Sequence, residues 1–365
     1  MRRSLLLTLA VVLAACGGSS SPAATATPSP HASADATPAA TSARAPARRT
    51  IATGLHVPWG IAFLPDGDAL VAERTTGKIL RIPKGGGKPR LAMRVPGVNV
   101  NAGEGGLLGL AVSPAYATDK LVYAYFTTSS DNRIARFKLG GSLDPILTGL
   151  KFGAIHNGGR IAFGPDGKLY AGVGETGDSA LAQDRGALNG KILRMNPDGS
   201  VPPGNPFPGS LVWSWGHRNV QGLAWDRSGR LWASEFGQNT FDEVNLIRKG
   251  RNYGWPVVEG KGSTQGATFT NPLVTWPTSQ ASPSGAAIVG STLYVGALQG
   301  QCVWRIPLHG TGVGKPTKLL AGRYGRIRTV VAAPDGTLWV ATSNRDGRGS
   351  PRPGDDRIIA LRVSS

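Results

Sequence analysis

The sequence GPDGKLYAGVGE at residues 164–175 joins a polar turn to a strand in which bulky side chains alternate. In the turn, an Asp-Gly pair supplies the positive φ that a tight hairpin needs. Five more copies of this pattern occur at intervals of roughly 45 to 65 residues, close to the length of one four-stranded propeller blade. The other copies are LPDGDALVAE (64–73), ATDKLVYAYF (117–126), DRSGRLWASE (226–235), VGSTLYVGA (289–297) and APDGTLWVAT (333–342). Six copies predict an all-β, six-bladed β-propeller of four-stranded antiparallel blades, since a β-sandwich would not repeat one turn six times and β-helix repeats are shorter.

Composition limits the classes to which the chain can belong. The 365 residues are 40% hydrophobic and 17% charged, and the 52 glycines follow no three-residue period, which excludes a fully disordered chain and collagen. Cys16 and Cys302 are too few for a disulfide framework, and no CxxC or Cys/His cluster offers a zinc or iron–sulfur site. We expect Cys302 to pack as a small apolar residue in a strand. Redox chemistry would therefore need a bound cofactor, and the net charge of +18 suits an anionic one.

The first residues have the layout of an export signal. Two arginines precede an apolar run over 5–15 that is too short to span a bilayer. The run ends in LAACG at 13–17, which resembles the lipobox of bacterial lipoproteins, where cleavage before the cysteine accompanies its lipidation. We expect a lipoprotein signal peptide at 1–15 and an exported, cell-surface protein attached to the outer face of the membrane through Cys16. The alternative is a soluble secreted protein whose cysteine lies there by chance.

The chain changes composition near residue 50. Residues 16–50 are mostly Ser, Thr, Ala and Pro, which predicts a disordered tether. Beyond them, short β-branched or aromatic runs alternate with Gly, Pro, Asn and Asp, which predicts a single propeller domain over 51–365. Because propellers carry unrelated activities, the loops must decide the function.

The first candidate pair is His156 and Glu175. His156 begins HNGGR at 156–160, just before a predicted strand, and Glu175 lies nineteen residues later at the end of that strand and its turn. A histidine with a carboxylate one strand away can act as a general base held in one tautomer. The alternative is an Asn-Gly-Gly turn whose histidine caps a strand end.

The second cluster is SWGHRNVQGL at 214–223, with Arg218 and Asn219 side by side. Arg218 offers a planar fork to an oxyanion or carboxylate, and Asn219 can both donate and accept hydrogen bonds. In the alternative reading, Arg218 pairs with an acid between blades.

The third cluster places loop carbonyls beside carboxylates. EFGQNTFDEVN at 235–245 contains Asp242 and Glu243, and NYGWP follows at 252–256. Such oxygen groups suit calcium, although a solvated turn would have the same composition.

The fourth cluster is GRYGRIRTV at 322–330. Arg326 and Arg328 point to the same side if the segment is extended, and two guanidinium groups on one face would bind a polycarboxylate. The alternative is a basic solvated edge.

Six segments in the same order resemble the soluble quinoprotein glucose/sorbosone dehydrogenases, the aldose sugar dehydrogenases that depend on pyrroloquinoline quinone (PQQ). The resemblance covers 51–362. The segments are GEGGLLGL (103–110), HNGGRIAFGPDGKLY (156–170), LNGKILRMNPDG (188–199), GHRNVQGL (216–223), DEVNLI (242–247) with NYGWP (252–256), and GRIR (325–328).

The resemblance implies a mechanism for the first two clusters. PQQ, a tricarboxylate quinone, would lie across the loops at one end near the central axis. His156 would take the proton of the anomeric hydroxyl while a hydride passes to the quinone, and Glu175 would orient the histidine. Arg218 would stabilise the oxyanion that develops on the quinone, and Asn219 would hydrogen-bond the cofactor.

The resemblance also implies calcium. Backbone carbonyls that match Gly237 and Gln238 would hold an ion on the quinone side. Glu243 and Tyr253 match positions where some relatives bind a calcium ion.

The cofactor clamp matches Arg326 and Arg328, but two other positions depart from the glucose-oxidising type. Gln299 stands where that protein has a cofactor-binding lysine, and Glu104 stands where a glutamine contacts the cofactor. One cation is lost and one anion is gained beside a trianion. Both changes should weaken PQQ binding unless other basic residues compensate.

These observations favour a PQQ- and calcium-dependent enzyme that oxidises aldoses to lactones and passes electrons to an external acceptor. A calcium-dependent lactonase of similar fold is one alternative, and a non-catalytic surface propeller that binds a glycan or a protein is another. We expect no nucleic-acid partner, because the chain has an export signal and an anionic cofactor accounts for its charge.

Overall fold

The computed structural model describes residues 47–263 and 268–363. The expected signal peptide, Cys16 and nearly all of the expected tether lie outside these residues. Strand β1 begins at Arg48, so the last three residues assigned to the tether are strand. None of the helices within the described ranges is long and apolar enough to cross a membrane.

Six antiparallel sheets confirm the six-bladed propeller. Blade one contains β2 (Pro58–Phe63), β3 (Ala69–Glu73), β4 (Lys78–Ile82) and β5 (Arg90–Arg94). Blade two contains β6 (Leu107–Val112), β7 (Leu121–Thr127), β8 (Asn132–Lys138) and β9 (Asp144–Leu150). Blade three contains β10 (Ile161–Phe163), β11 (Leu169–Val173), β12 (Lys191–Met195) and β13 (Val212–Trp215).

The remaining blades follow in chain order. Blade four contains β14 (Val220–Trp225), β15 (Leu231–Glu235), β16 (Phe241–Ile247) and β17 (Val274–Pro277). Blade five contains β18 (Pro283–Val289), β19 (Thr292–Ala297), β20 (Cys302–His309), β21 (Gly312–Val313) and β22 (Thr317–Leu319), so it has five strands because β21 and β22 both pair with β20. Blade six contains β23 (Ile327–Ala332), β24 (Leu338–Thr342), β25 (Ile358–Leu361) and β1 (Arg48–Ala52). Helical structure among these residues is limited to α1 (Tyr116–Asp119) and two 3₁₀ segments, Ser179–Ala182 and Thr278–Gln280.

Each sequence copy forms the turn and second strand of one blade. The second strand has sheet neighbours on both edges and packs against adjacent blades on both faces, so every residue of β3, β11, β15 and β24 is buried. This double burial explains why the second strand carries the strongest apolar pattern. Cys302 is likewise buried at the start of β20, and burial raises the pKa of its thiol to about 11.

The ring closes between the two ends of the domain. β1 pairs antiparallel with β25, with Arg48 opposite Leu361 and Thr50 opposite Ile359. The first described strand thereby completes the last blade as its outermost strand.

Strand direction brings the candidate loops to one end of the propeller. First strands of neighbouring blades pack on each other, as β14 does on β18 and β18 on β23, so they surround the axis. In an antiparallel pair, the start of the first strand and the end of the second lie at the same edge. The residues before β10, β14 and β23 therefore meet those that follow β11, β15 and β24.

Candidate active site

His156 and Glu175 form a direct pair at this end of the propeller. His156 Nδ1 lies 2.5 Å from Glu175 Oε1, and the two residues are 9% and 2% exposed. Glu175 Oε2 accepts the backbone N–H of Gly177 at 2.5 Å, which fixes the carboxylate. Because an ionised carboxylate can only accept, the imidazole proton lies on Nδ1 and Nε2 keeps its lone pair.

The backbone of His156 is held in an unfavourable conformation. Its φ is +55°, in the left-handed region that costs a non-glycine residue about 1–3 kcal/mol. Glu104 Oε2 accepts the His156 N–H at 3.0 Å, and the His156 carbonyl accepts the N–H of Thr176 at 3.2 Å. These bonds hold the imidazole in place. Glu104 therefore helps to position the candidate base by binding the backbone N–H of His156.

Arg218 meets the free nitrogen of this imidazole. Its Nη2 lies 2.8 Å from His156 Nε2, and its Nε donates to Gln238 Oε1 at 2.9 Å. Burial lowers the pKa of Arg218, and the charges of Glu175 and Glu235 act in the opposite direction. A fixed positive charge therefore faces the lone pair of the candidate base.

Asn219 leaves one buried donor unused. Its Oδ1 accepts the N–H of Gly158 at 3.0 Å. Its Nδ2 is buried and has no hydrogen-bond partner among the described residues. An unpaired buried amide donor costs stability, and a bound acceptor would remove this cost.

Arg326 and Arg328 are both braced by Asp346. Asp346 Oδ2 lies 3.0 Å from Arg326 Nε and 3.5 Å from Arg328 Nη2. Burial opposes ionisation of Asp346, yet the charges of Arg328 and Arg326 outweigh it and lower its pKa. Burial lowers the pKa of Arg328 to about 10, so this guanidinium stays charged at neutral pH. The pair is a built cationic site and not a solvated edge.

One cavity of about 300 Å³ joins most of these groups, a volume at the lower end for small-molecule sites. Nine residues singled out in the sequence line it: Glu104, His156, Arg218, Gly237, Gln238, Asp242, Gln299, Arg326 and Arg328. Glu175 and Asn219 lie behind the cavity wall. Glu175 contacts the lining residue His156, and Asn219 contacts Gly158, a near neighbour of His156 in the chain. Glu243 and Tyr253 do not line it.

The loop at Gly237 and Gln238 is organised by two acids. Glu259 Oε1 accepts four consecutive backbone N–H groups, from Gln238 to Phe241, and Asp242 Oδ1 accepts that of Gly237 at 3.0 Å. Burial raises the pKa of Asp242 to about 6. The carbonyl oxygens of Gly237 and Gln238 accept no hydrogen bond from the described residues. They are the groups of this loop that a hard cation could use.

The second expected calcium position has a different geometry. The Tyr253 hydroxyl donates to the Leu246 carbonyl at 2.7 Å and accepts the Arg248 N–H at 2.8 Å, so it is already engaged in two hydrogen bonds within the fold. The backbone carbonyl of Tyr253 is the other oxygen of this residue that a calcium ion could bind. Glu243 is buried opposite Glu235 on the neighbouring strand, and burial and that charge raise its pKa to about 8.

A second histidine–glutamate pair lies one blade further on. His217 Nδ1 lies 2.8 Å from Glu235 Oε2, and His217 Nε2 lies 2.8 Å from Ser214 Oγ. His217 stacks on Tyr253 at 4.7 Å and is fully buried. This order of groups resembles a hydrolase triad, but no substrate can reach it. Its role is structural, since Glu235 also accepts the backbone N–H of Arg218.

The sequence reasoning missed Asp346 and Arg348. Both lie between β24 and β25, and Arg348 lines the cavity. The only local signal is the Asp-Gly turn at 346–347, which is typical of any surface loop. Their contacts to β23 and to Glu104 are distant in sequence.

Comparisons with known proteins agree with this fold. The family described as glucose/sorbosone dehydrogenase matches residues 55–351. The PQQ-bound form of an aldose sugar dehydrogenase from Streptomyces coelicolor has 55% sequence identity and a TM-score of 0.83, over 87% of this chain and 97% of that chain. A putative oxidoreductase (glucose dehydrogenase) from Thermus thermophilus has 43% identity and a TM-score of 0.81, over 87% and 99%.

A sequence relative leads to the same family. The aldose sugar dehydrogenase of Escherichia coli is 32% identical over 82% of this chain and 91% of its own length. The family match extends over nearly the whole described propeller and includes both the His156–Glu175 pair and the arginine clamp. The chain therefore belongs to the glucose/sorbosone dehydrogenase family.

Proposed function

We propose that this protein is a PQQ-dependent aldose sugar dehydrogenase, which oxidises the anomeric carbon of an aldose to the lactone and passes the electrons to an external acceptor. The observation that carries the proposal is the His156 imidazole, with its proton held on Nδ1 by Glu175 and its Nε2 against Arg218 at the cavity. The PQQ-bound relative at 55% identity supports the choice of cofactor.

The cavity fits a planar tricarboxylate. Its four lining arginines are Arg218, Arg326, Arg328 and Arg348. Guanidinium groups bind carboxylates in fixed geometry, so this set matches the charge of the cofactor. Arg218, Arg326 and Arg328 would hold the group.

Apolar and polar wall groups complete the fit. Ile155, Phe236 and Leu298 line the cavity and supply apolar surface for a flat ring system. The unpaired Nδ2 of Asn219 offers a donor from the buried side. A site with apolar walls and a few placed polar groups is typical of cofactor binding.

The residues of the chain handle the proton. When bound, PQQ supplies the electron sink for the hydride of the anomeric carbon. His156 Nε2 takes the proton of the anomeric hydroxyl, because Nδ1 is already committed to Glu175. The resulting imidazolium is stabilised by the Glu175 carboxylate. Loss of a hydride from carbon and a proton from oxygen leaves the lactone.

Arg218 has to release His156 before the sugar hydroxyl can approach Nε2. The same guanidinium also holds Gln238 Oε1 and the Phe236 carbonyl, so it stays anchored when the contact to His156 is lost. It then remains a fixed positive charge where negative charge develops, which is the most effective electrostatic arrangement in many enzymes.

The proposal includes a calcium ion at the loop of Gly237 and Gln238. The unpaired carbonyl oxygens of that loop support this choice. Within 47–263 and 268–363 no group of three or more His, Cys, Asp or Glu side chains could hold a metal, so the ion would depend on main-chain oxygens.

Export as a lipoprotein is also part of the proposal. It rests on the sequence alone, in which the apolar run ends at Ala-Ala-Cys and the Ser/Thr/Ala/Pro segment follows.

No observation favours the two alternatives. A calcium lactonase would need carboxylate side chains gathered around an axial metal, whereas arginines surround this cavity. A purely binding propeller would have no use for a base that is held between a carboxylate and a guanidinium in a strained backbone conformation.

The test is dye-linked oxidation of an aldose panel by the purified protein after reconstitution with PQQ and calcium, with each omitted in turn. Activity that needs both additions is expected. A protein that neither turns over any aldose nor binds PQQ in a titration would overturn the proposed function.

A further inference from the structure

We propose that Arg348 is a third carboxylate-binding cation of this cofactor site and compensates for the neutral Gln299. The inference rests on the proposed function, because it concerns how the same cavity binds the tricarboxylate. The clamp supplies two arginines for three carboxylates, Arg326 just before β23 and Arg328 within it, and Gln299 brings no charge to the cavity that it lines. Arg348 reaches the cavity from the loop between β24 and β25.

One buried acid organises all three arginines. Asp346 Oδ2 lies against Arg326 Nε and Arg328 Nη2, at 3.0 Å and 3.5 Å. Its Oδ1 accepts the backbone N–H of Arg348 at 2.9 Å. The side chain of Asp346 is only 2% exposed, so its position is fixed by packing as well as by charge. Arg348 therefore belongs to the same built cluster as the clamp and is not an independent surface residue.

The Arg348 guanidinium is anchored at one nitrogen and open at the others. Nη1 lies 2.6 Å from Glu104 Oε1, and the other donors have no partner among the described residues. The side chain is 59% exposed, so these donors are accessible to a ligand in the cavity. A guanidinium has five N–H donors, so Arg348 can hold Glu104 and a ligand carboxylate together.

Glu104 fixes the position of the Arg348 side chain, but its negative charge also partly neutralises the positive charge that Arg348 offers to a ligand. One oxygen of Glu104 holds the His156 N–H and the other holds Arg348, so the carboxylate joins the base to the cation. The charge of Arg348 contributes to the lowered pKa of Glu104, which burial opposes. A glutamine at 104 would keep one oxygen for His156 and remove the competing anion. Arg348 would then be fully available to the cofactor.

The experiment is a PQQ titration of the purified protein at constant calcium, followed by tryptophan fluorescence or absorbance, so that it measures binding and not turnover. We expect Arg348→Gln to weaken binding about tenfold, the scale of one charge-assisted hydrogen bond at a partly exposed site. Arg348→Lys keeps the charge and should recover most of the loss. Glu104→Gln should tighten binding severalfold, and only when Arg348 is present.

The matched control is Arg352→Gln. Arg352 is an exposed arginine of the same loop that does not line the cavity, so its loss tests the general effect of one positive charge. We expect less than a twofold change. Arg348→Gln and Arg352→Gln with equal affinities would overturn the assignment while leaving the proposed function intact. A wild-type protein that binds no PQQ would overturn both. Unfolding curves of each variant separate a binding loss from a folding defect.

Discussion

Arg218 Nη2 lies 2.8 Å from His156 Nε2, so a guanidinium cation points at the lone pair of the candidate base. This contact keeps Nε2 unprotonated, because a nitrogen that accepts from a guanidinium cannot carry its own proton. The base is thus preorganised from both sides, by Glu175 at Nδ1 and by Arg218 at Nε2.

His156→Ala should abolish dye reduction while leaving PQQ bound. The substitution removes the proton acceptor, whose contribution is about 10²- to 10⁴-fold, but leaves the arginine clamp untouched. The measurement is kcat in the dye-linked assay together with a PQQ titration. His309→Ala is the control, since His309 is exposed at the end of β20 and far from the loops of the site. An active His156→Ala enzyme would remove His156 as the base.

Glu175→Gln should lower kcat by at least about 10²-fold with little change in PQQ affinity. Glutamine keeps the size of the side chain but removes the charge that stabilises the imidazolium, and its amide can force the wrong tautomer. Glu175→Asp keeps the charge at shorter reach and should retain far more activity. If Glu175→Gln keeps the wild-type kcat, the carboxylate charge is not needed and the orienting role fails.

The sequence repeats located the second strands because these strands are buried on both faces and therefore carry a strong local pattern. Ring closure had no such signal, since Arg48 pairs with Leu361 only through tertiary structure. The same limit applies to Glu104. Its position beside the cofactor site was expected from the resemblance, but its bond to the His156 backbone depends on how two loops meet in space.

Distance along the chain also explains why Asp346 and Arg348 were not predicted together with the arginine clamp. Arg326 directly precedes β23 and Arg328 lies within it, so alternation along an extended segment predicted their common face. Asp346 and Arg348 reach them from the loop after the next strand, and Arg348 contacts Glu104 across 244 positions of sequence. No periodicity links residues so far apart.

Arg326→Ala combined with Arg328→Ala should weaken PQQ binding by at least about 10²-fold. Each substitution removes a charge-assisted contact to the cofactor. Asp346 is also left as a buried acid without its two partners, which puts an unfavourable negative charge next to the site. The measurement is a PQQ titration, with Tm as the check on folding. Asp346→Asn in the same background should restore part of the stability. Unchanged PQQ affinity in the double variant would show that the clamp is wrongly placed.

Cys16→Ser should leave an uncleaved export precursor that is released from the membrane by washing. Lipidation needs a thiol, and under the lipoprotein proposal Cys16 would be the lipidated anchor. The measurement is fractionation with an antibody to the propeller domain, compared with Cys302→Ser as the control thiol. Unaltered processing and attachment would contradict the lipoprotein proposal.

Glu243→Gln should make the calcium-free protein more stable at high pH. Glu243 and Glu235 lie directly opposite on β16 and β15, and burial with that neighbouring charge raises the pKa of Glu243 to about 8. The folded state therefore keeps a proton that the unfolded chain releases near pH 4.5, so the wild-type protein loses stability as pH rises from about 5 to 8. Glutamine imitates the protonated acid. Its amide can donate to Asn245 Oδ1, which has no partner among the described residues, after the Asn245 side chain turns over.

The expected difference is a few kcal/mol, at most about 5 kcal/mol, at pH 8.5 in the presence of a chelator and much smaller at pH 5, measured by urea unfolding. Calcium should make the wild type more stable than the variant at pH 8.5. A bound cation stabilises the ionised carboxylate of the wild type, whereas the glutamine amide of the variant is a weaker ligand. Thr275→Ser, on the strand that pairs with β16, serves as a mild control for the same sheet. If calcium stabilises the variant and the wild type equally, then Glu243 is not a ligand, and the ion acts only at the loop of Gly237 and Gln238.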